Sequence, residues 1–125
     1  MGKLFLITGT LFGGTAAMIG AFGAHALKAV LESSGRIETF ETAVKYQFYH
    51  ALALILLGIL MLNREHTYLT YSGYSLIGGV IIFSGSLYVL CLSGITKFGM
   101  ITPIGGLLMI VGWGLMMMGI IKTIP

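Results

Sequence analysis

Most of the ionisable and amide side chains with a possible chemical role lie in one stretch. Glu38, Glu41, Lys45, Tyr46, Gln47, Tyr49 and His50 follow each other closely in a chain that is only 9% charged. At about 100° per residue on a helix, Glu38, Glu41, Lys45 and Tyr49 share one face. Glu41 precedes Lys45 by four residues, the favourable order for a helical ion pair. Tyr46, Gln47 and His50 form a second face, and His50 stands immediately before the apolar run Ala51–Leu62. An imidazole at that depth has three roles open to it. It can hydrogen-bond a neighbouring helix, handle a proton or a substrate, or ligate a metal together with His25 and Glu41. Those three residues match no metal-ligand spacing, so neither metal nor cofactor is expected. No nucleophile–base pair occurs, which speaks against an enzyme. Glu38, Glu41 and Lys45 also read more simply as a solvated helix start, with the acids favoured by the helix dipole.

The elements that must position these residues follow from hydropathy. The chain has 125 residues, 57% of them hydrophobic, and a mean hydropathy of +0.98. Soluble domains carry roughly 25% charged residues, and a small soluble fold has little interior in which to hide such an apolar surplus. Four apolar runs predict spans at about 3–31, 37–62, 72–93 and 103–122, each long enough for a hydrocarbon core of about 30 Å. The runs are continuous and do not alternate, which favours helices over a barrel. The predicted fold is all-α: an integral membrane four-helix bundle, one multi-pass transmembrane domain in the cell membrane. Ala24-His25-Ala26 resembles a signal-peptide cleavage site. The first run is nevertheless read as a retained helix, because it is long and Gly-rich and three further spans follow it. The amphipathic segment 26–34 either extends the first span or lies at the interface, and Gly35 suits a left-handed helix end. Tyr68, Tyr71 and Tyr74 suit an interfacial anchor. Thr102 is a candidate N-cap before Pro103. Cys91, the single cysteine, reads as packing. The basic residues are scattered, so nothing supports a nucleic-acid partner.

With four spans, His25, the Glu38–His50 stretch, Lys97 and Thr102 lie on one side of the membrane, and Tyr88 lies near the same end of the third helix. His25, Tyr88 and Thr102 are therefore the expected partners of His50. That side carries Lys28, Arg36, Lys45 and Lys97; the other carries Lys3, Arg64 and Lys122. The positive-inside rule thus places both termini outside, by the margin of a single charge.

Lipid removes most of the hydrophobic gain between helices, so close approach through small residues takes its place. Gly9, Gly13, Ala16, Gly20 and Ala24 form one stripe; Ser72, Gly79, Ser86 and Ser93 a second; Gly105, Gly112 and Gly119 a third. The second helix has few such residues and is expected to pack loosely or face lipid. Three stripes are more than one bundle needs. One is expected to serve a second copy, giving a homo-oligomer, or another membrane protein.

The string Gly20-Ala21-Phe22-Gly23-Ala24-His25-Ala26-Leu27 is distinctive, as is the block from Phe40 to Leu54 that contains the polar cluster. Phe83-Ser84-Gly85-Ser86-Leu87-Tyr88, Ile101-Thr102-Pro103-Ile104-Gly105-Gly106 and Gly112-Trp113 follow in order. Together they resemble the small YwdK-like membrane proteins, a domain-of-unknown-function family that includes transmembrane protein 256 of animals. The resemblance covers nearly the whole chain. It implies a small multi-span membrane protein and no particular activity. Two functions compete: a structural or assembly protein acting through helix packing, and a minimal oligomeric channel or transporter for a small ion or solute. The second would use Phe83, Ser84 and Ser86 as lining.

Overall fold

The computed structural model describes residues 1–125. It contains α1 (Gly2–His25), α2 (Lys28–Ser34), α3 (Ile37–Leu60), α4 (Thr67–Ser93), a 3-10 turn (Thr96–Met100) and α5 (Thr102–Thr123), with no strand. Four segments are long and apolar enough to cross a membrane: α1, α3, α4, and α5 with the turn before it. Many of their large apolar side chains point outward. On α5, Ile104, Leu107, Ile110 and Ile121 are exposed, while Gly105, Met109, Gly112 and Gly119 are buried. That inversion is what a lipid-facing helix requires, because the bilayer solvates leucine and isoleucine as well as a protein core does.

The helices pack as two tight pairs, α1 with α3 and α4 with α5, joined through α3 and α4. Seven-residue repeats of small side chains mark the seams, a period that keeps a stripe aligned along a shallow left-handed crossing. In α1 the buried seam is Gly2, Gly9, Ala16 and Gly23. The expected stripe is corrected here: Gly13 and Gly20 are half-buried, and Ala24 is exposed. A Cβ on Gly9 would stand 2.8 Å from the Ala51 carbonyl oxygen. On α4, Ser72, Gly79 and Ser86 are buried, whereas Ser93, at the helix end, is exposed. Gly105, Gly112 and Gly119 all face α4, where an added Cβ would overlap Phe83, Leu76 and Leu69 respectively. Most of each stripe is used inside the chain, with Ala24 and Ser93 left exposed at the helix ends.

The expectation for the second span is also corrected. α3 is central, with nine buried residues against five in α1 and four in α5. Few glycines did not mean loose packing, because α3 receives the glycines of α1, with Gly9 and Gly13 against Ala51 and Gly2 against Gly58, and buries Ala43 and Ala53 as well. Leu54 and Leu57 of α3 join Phe5, Leu69 and Leu76 in the main apolar core.

The first span ends at His25 and not at residue 31. The chain turns at Ala26–Leu27 and restarts as the separate α2, which lets Leu31 bury against Phe40 and Cys91. Lys28 and Glu32 stay exposed. Gly35 ends α2 with φ 69°, and Gly94 ends α4 with φ 72°; the left-handed region favours glycine because it has no Cβ. The third span starts at Thr67, five residues earlier than expected, where His66 Nδ1 accepts the Tyr68 amide as an N-cap at 3.0 Å. Tyr68, Tyr71 and Tyr74 are exposed on its first turns, a position suited to the aromatic belt.

Candidate functional site

The buried polar side chains form ties between helices, and the exposed ones form a solvated rim. The first tie centres on Gln47 of α3, which is buried. Its Nε2 donates to the Phe12 carbonyl at 3.0 Å and to Thr15 Oγ1 at 2.8 Å, both on α1. Its Oε1 accepts from the Tyr88 hydroxyl of α4 at 2.6 Å. Thr15 in turn donates to the Leu11 carbonyl at 2.8 Å. One amide thereby joins three helices with both of its donors in use.

The second tie is His50, also buried. The indole Nε1–H of Trp113 on α5 donates to His50 Nε2 at 3.0 Å. An indole can only donate, so Nε2 must be the unprotonated nitrogen and Nδ1 must carry the hydrogen. Nδ1 donates to the Tyr46 carbonyl, one turn back, at 2.8 Å. The Tyr46 ring covers the imidazole, with centroids 6.1 Å apart, and leans on Phe83 at 4.8 Å. With both nitrogens engaged, His50 has no free lone pair for a metal, and taking up a proton would break the indole bond. The geometry is that of a structural histidine.

The third tie joins Ser86 of α4 to Thr102 of α5, oxygen to oxygen, at 2.6 Å. Thr102 is not the N-cap; it lies inside the first turn of α5, behind Ile101. Its hydroxyl is drawn to Ser86 and is 3.4 Å from the Phe98 carbonyl. Three further serines of α4 serve the same end. Ser72 donates to the Gly112 carbonyl and Ser75 to the Leu108 carbonyl, both at 2.6 Å, and Ser84 donates to the Ala43 carbonyl at 2.7 Å.

The rim is where the sequence-based grouping breaks up. His25, Glu41 and Lys45 are exposed and make no hydrogen bond to the ties. Neither His25, Tyr88 nor Thr102 reaches His50. Glu41 and Lys45 form no ion pair; the ion pair present joins the Met1 ammonium to Glu65 at 3.8 Å, on the opposite side. Water satisfies exposed charges at a helix end, and holding two long side chains together there gains little. The sequence assigned no role to Trp113, Thr15 or Ser75, and Ser84 entered only as channel lining, not as the tie to α3 that it makes. Trp113 carried a usable signal, since it follows the seam residue Gly112 and so lies beside the packed face of α5.

Two substitutions at His50 should separate loss of a bond from introduction of a charge. His50→Leu leaves the half-exposed Trp113 N–H without its acceptor, and is expected to cost about 1 kcal/mol. His50→Asp places a carboxylate toward the apolar core, and should cost roughly 2–3 kcal/mol. Reversible unfolding in mixed micelles measures both. Equal stability of the two variants would show that the site is already hydrated.

The fold and these ties define a multi-pass membrane protein braced by buried polar contacts. The chain belongs to the family described as "Protein of unknown function (DUF423)", whose model matches residues 19–106. It is 43% identical to a UPF0382 membrane protein of Staphylococcus haemolyticus, over 98% of each chain. It is 41% identical to one of Staphylococcus aureus, over 96% of this chain and 97% of the relative. It is 35% identical to the UPF0382 inner membrane protein YgdD of Escherichia coli strain K12, over 96% and 91%. No solved structure matches the chain.

Proposed function

We propose that the chain is a non-enzymatic assembly protein of the membrane, a braced four-helix transmembrane domain that pairs with a second copy through the outer face of α1. The observation that carries this reading is a second set of small residues on that helix. Thr10, Gly14, Ala17 and Ala21 are all exposed, at spacings of four, three and four. A Cβ on Gly14 would meet nothing within 4 Å. They form a low strip bordered along one edge by the exposed Leu11 and Met18. Small-residue strips of this kind admit another helix closely enough for backbone contact. In this role the polar ties keep the body rigid, and none of their groups is spare for catalysis. The channel reading has less support. Ser84 and Ser86 are bonded to α3 and α5, and Phe83 packs on Gly105, so a path along them would have to break the bundle.

The test is self-association in detergent by cross-linking and light scattering. The double variant Gly14→Leu, Ala17→Leu should turn dimers into monomers while unfolding at the same denaturant concentration as the parent, because both positions open outward. A dimer population unmoved by this pair would overturn the assignment of α1 as the contact face.

A further inference from the structure

We propose that the cavity enclosed by α1, α2 and α3 binds one anionic phospholipid, with its phosphate at the mouth and its upper acyl chain along the inner wall. The cavity measures about 370 Å³, within the range of about 300–1,000 Å³ common for small-molecule sites. Its inner wall is apolar and low in relief. Gly20 leaves part of the α1 backbone open beside Val44 of α3, the Phe40 ring of α3 covers Gly23, and Leu31 of α2 closes the end. Gly23 leaves room for the Phe40 ring to lie on the α1 backbone.

The mouth has the opposite character. Lys28 of α2 and Lys45 and Glu41 of α3 line it; all three are exposed, and none is in an ion pair. Two ammonium groups against one carboxylate leave one positive charge, which a single phosphodiester neutralises. The Glu41 carboxylate beside them can accept a hydrogen bond from a head-group hydroxyl. α1 ends at His25, so the mouth lies where the span ends, level with lipid phosphates. Lysine stems can lie along the apolar wall while their ammonium groups reach the polar layer. A soluble anion would use the mouth alone and leave the apolar wall unused; an amphiphile uses both. At Ala24 the site borders the outer face of α1 invoked above, seven residues past Ala17, whereas Lys28 and Lys45 lie off that face on α2 and α3, so the lysine variants test the lipid site alone.

The experiment uses the full chain in micelles and reads bound lipid by native mass spectrometry. The probes are phosphatidylglycerol, phosphatidylcholine with the same acyl chains, and inorganic phosphate. One phosphatidylglycerol per chain is expected, in preference to phosphatidylcholine, with no phosphate adduct. Lys28→Gln combined with Lys45→Gln should weaken phosphatidylglycerol binding roughly thirtyfold, on the usual contribution of a lysine near an anionic surface. The corresponding arginine pair should retain it. Lys97→Gln, on the same side but outside the cavity, should leave binding unchanged. Ala24→Phe, which fills the cavity from α1, should abolish it. All these positions are exposed, and unfolding curves in the same micelles verify that each variant folds. Undiminished binding by the double glutamine variant, equal binding of phosphatidylcholine, or a phosphate adduct of equal strength would each overturn the proposal.

Discussion

Gly105→Ala is expected to destabilise the chain by about 3 kcal/mol, at the upper end of what overpacking costs. The added methyl would land on the backbone of Phe83, with its Cα at 2.8 Å. A side chain could rotate aside; a helix backbone cannot, so α5 must move off α4. That movement would strain the Ser86–Thr102 contact and the serine bonds to Leu108 and Gly112, all at 2.6 Å. The sign is the informative part. Alanine is a better helix former than glycine by roughly 0.8–1.0 kcal/mol, so propensity alone predicts stabilisation. Gly114→Ala on the same helix provides the control, because its Cβ would meet nothing within 4 Å. It should be neutral or slightly stabilising. Opposite signs for the two variants, measured by unfolding in mixed micelles, would establish that the α4–α5 seam is limited by backbone contact. Equal signs would show that it is loose. The same logic makes Gly112→Leu a folding defect, not an oligomerisation defect, since Leu76 already occupies the space above Gly112.

Gln47→Leu should cost about 2 kcal/mol, because it strips the Tyr88 hydroxyl of its acceptor and α3 of its bond to Phe12 and Thr15. Tyr88→Phe should cost about 1 kcal/mol by leaving Gln47 Oε1 with one fewer donor. The double variant removes both ends of the bond and should cost less than the sum, with a coupling of about 1 kcal/mol. Buried polar pairs in membranes average somewhat less than this, because the partly unfolded helices find other partners. Strict additivity would mean that the 2.6 Å contact contributes nothing to the fold.

The sequence by itself determined the features that depend only on neighbours along the chain. Backbone groups in lipid must be bonded within their own helix, so continuous apolar runs became α1, α3, α4 and α5 with little ambiguity. The repeat of Gly105, Gly112 and Gly119 marked a packing face for the same reason: periodicity on one helix is a one-dimensional property. Gly35 could be read as a helix stop from its lack of a Cβ alone. What the tertiary structure decided were the relations between helices. The rotation of each helix and the choice of its neighbour put Trp113 against His50, a residue 63 positions away, and kept His25 in water. Topology could place both histidines on one side of the membrane, but it could not say whether they meet. The centrality of α3 was hidden for a related reason. A close approach needs small residues on only one of the two partners, and the glycines that let α3 in belong largely to α1. The seams that seemed available to a second molecule were mostly consumed inside the chain, because a stripe of small residues records that something packs there and carries no information about which surface it is.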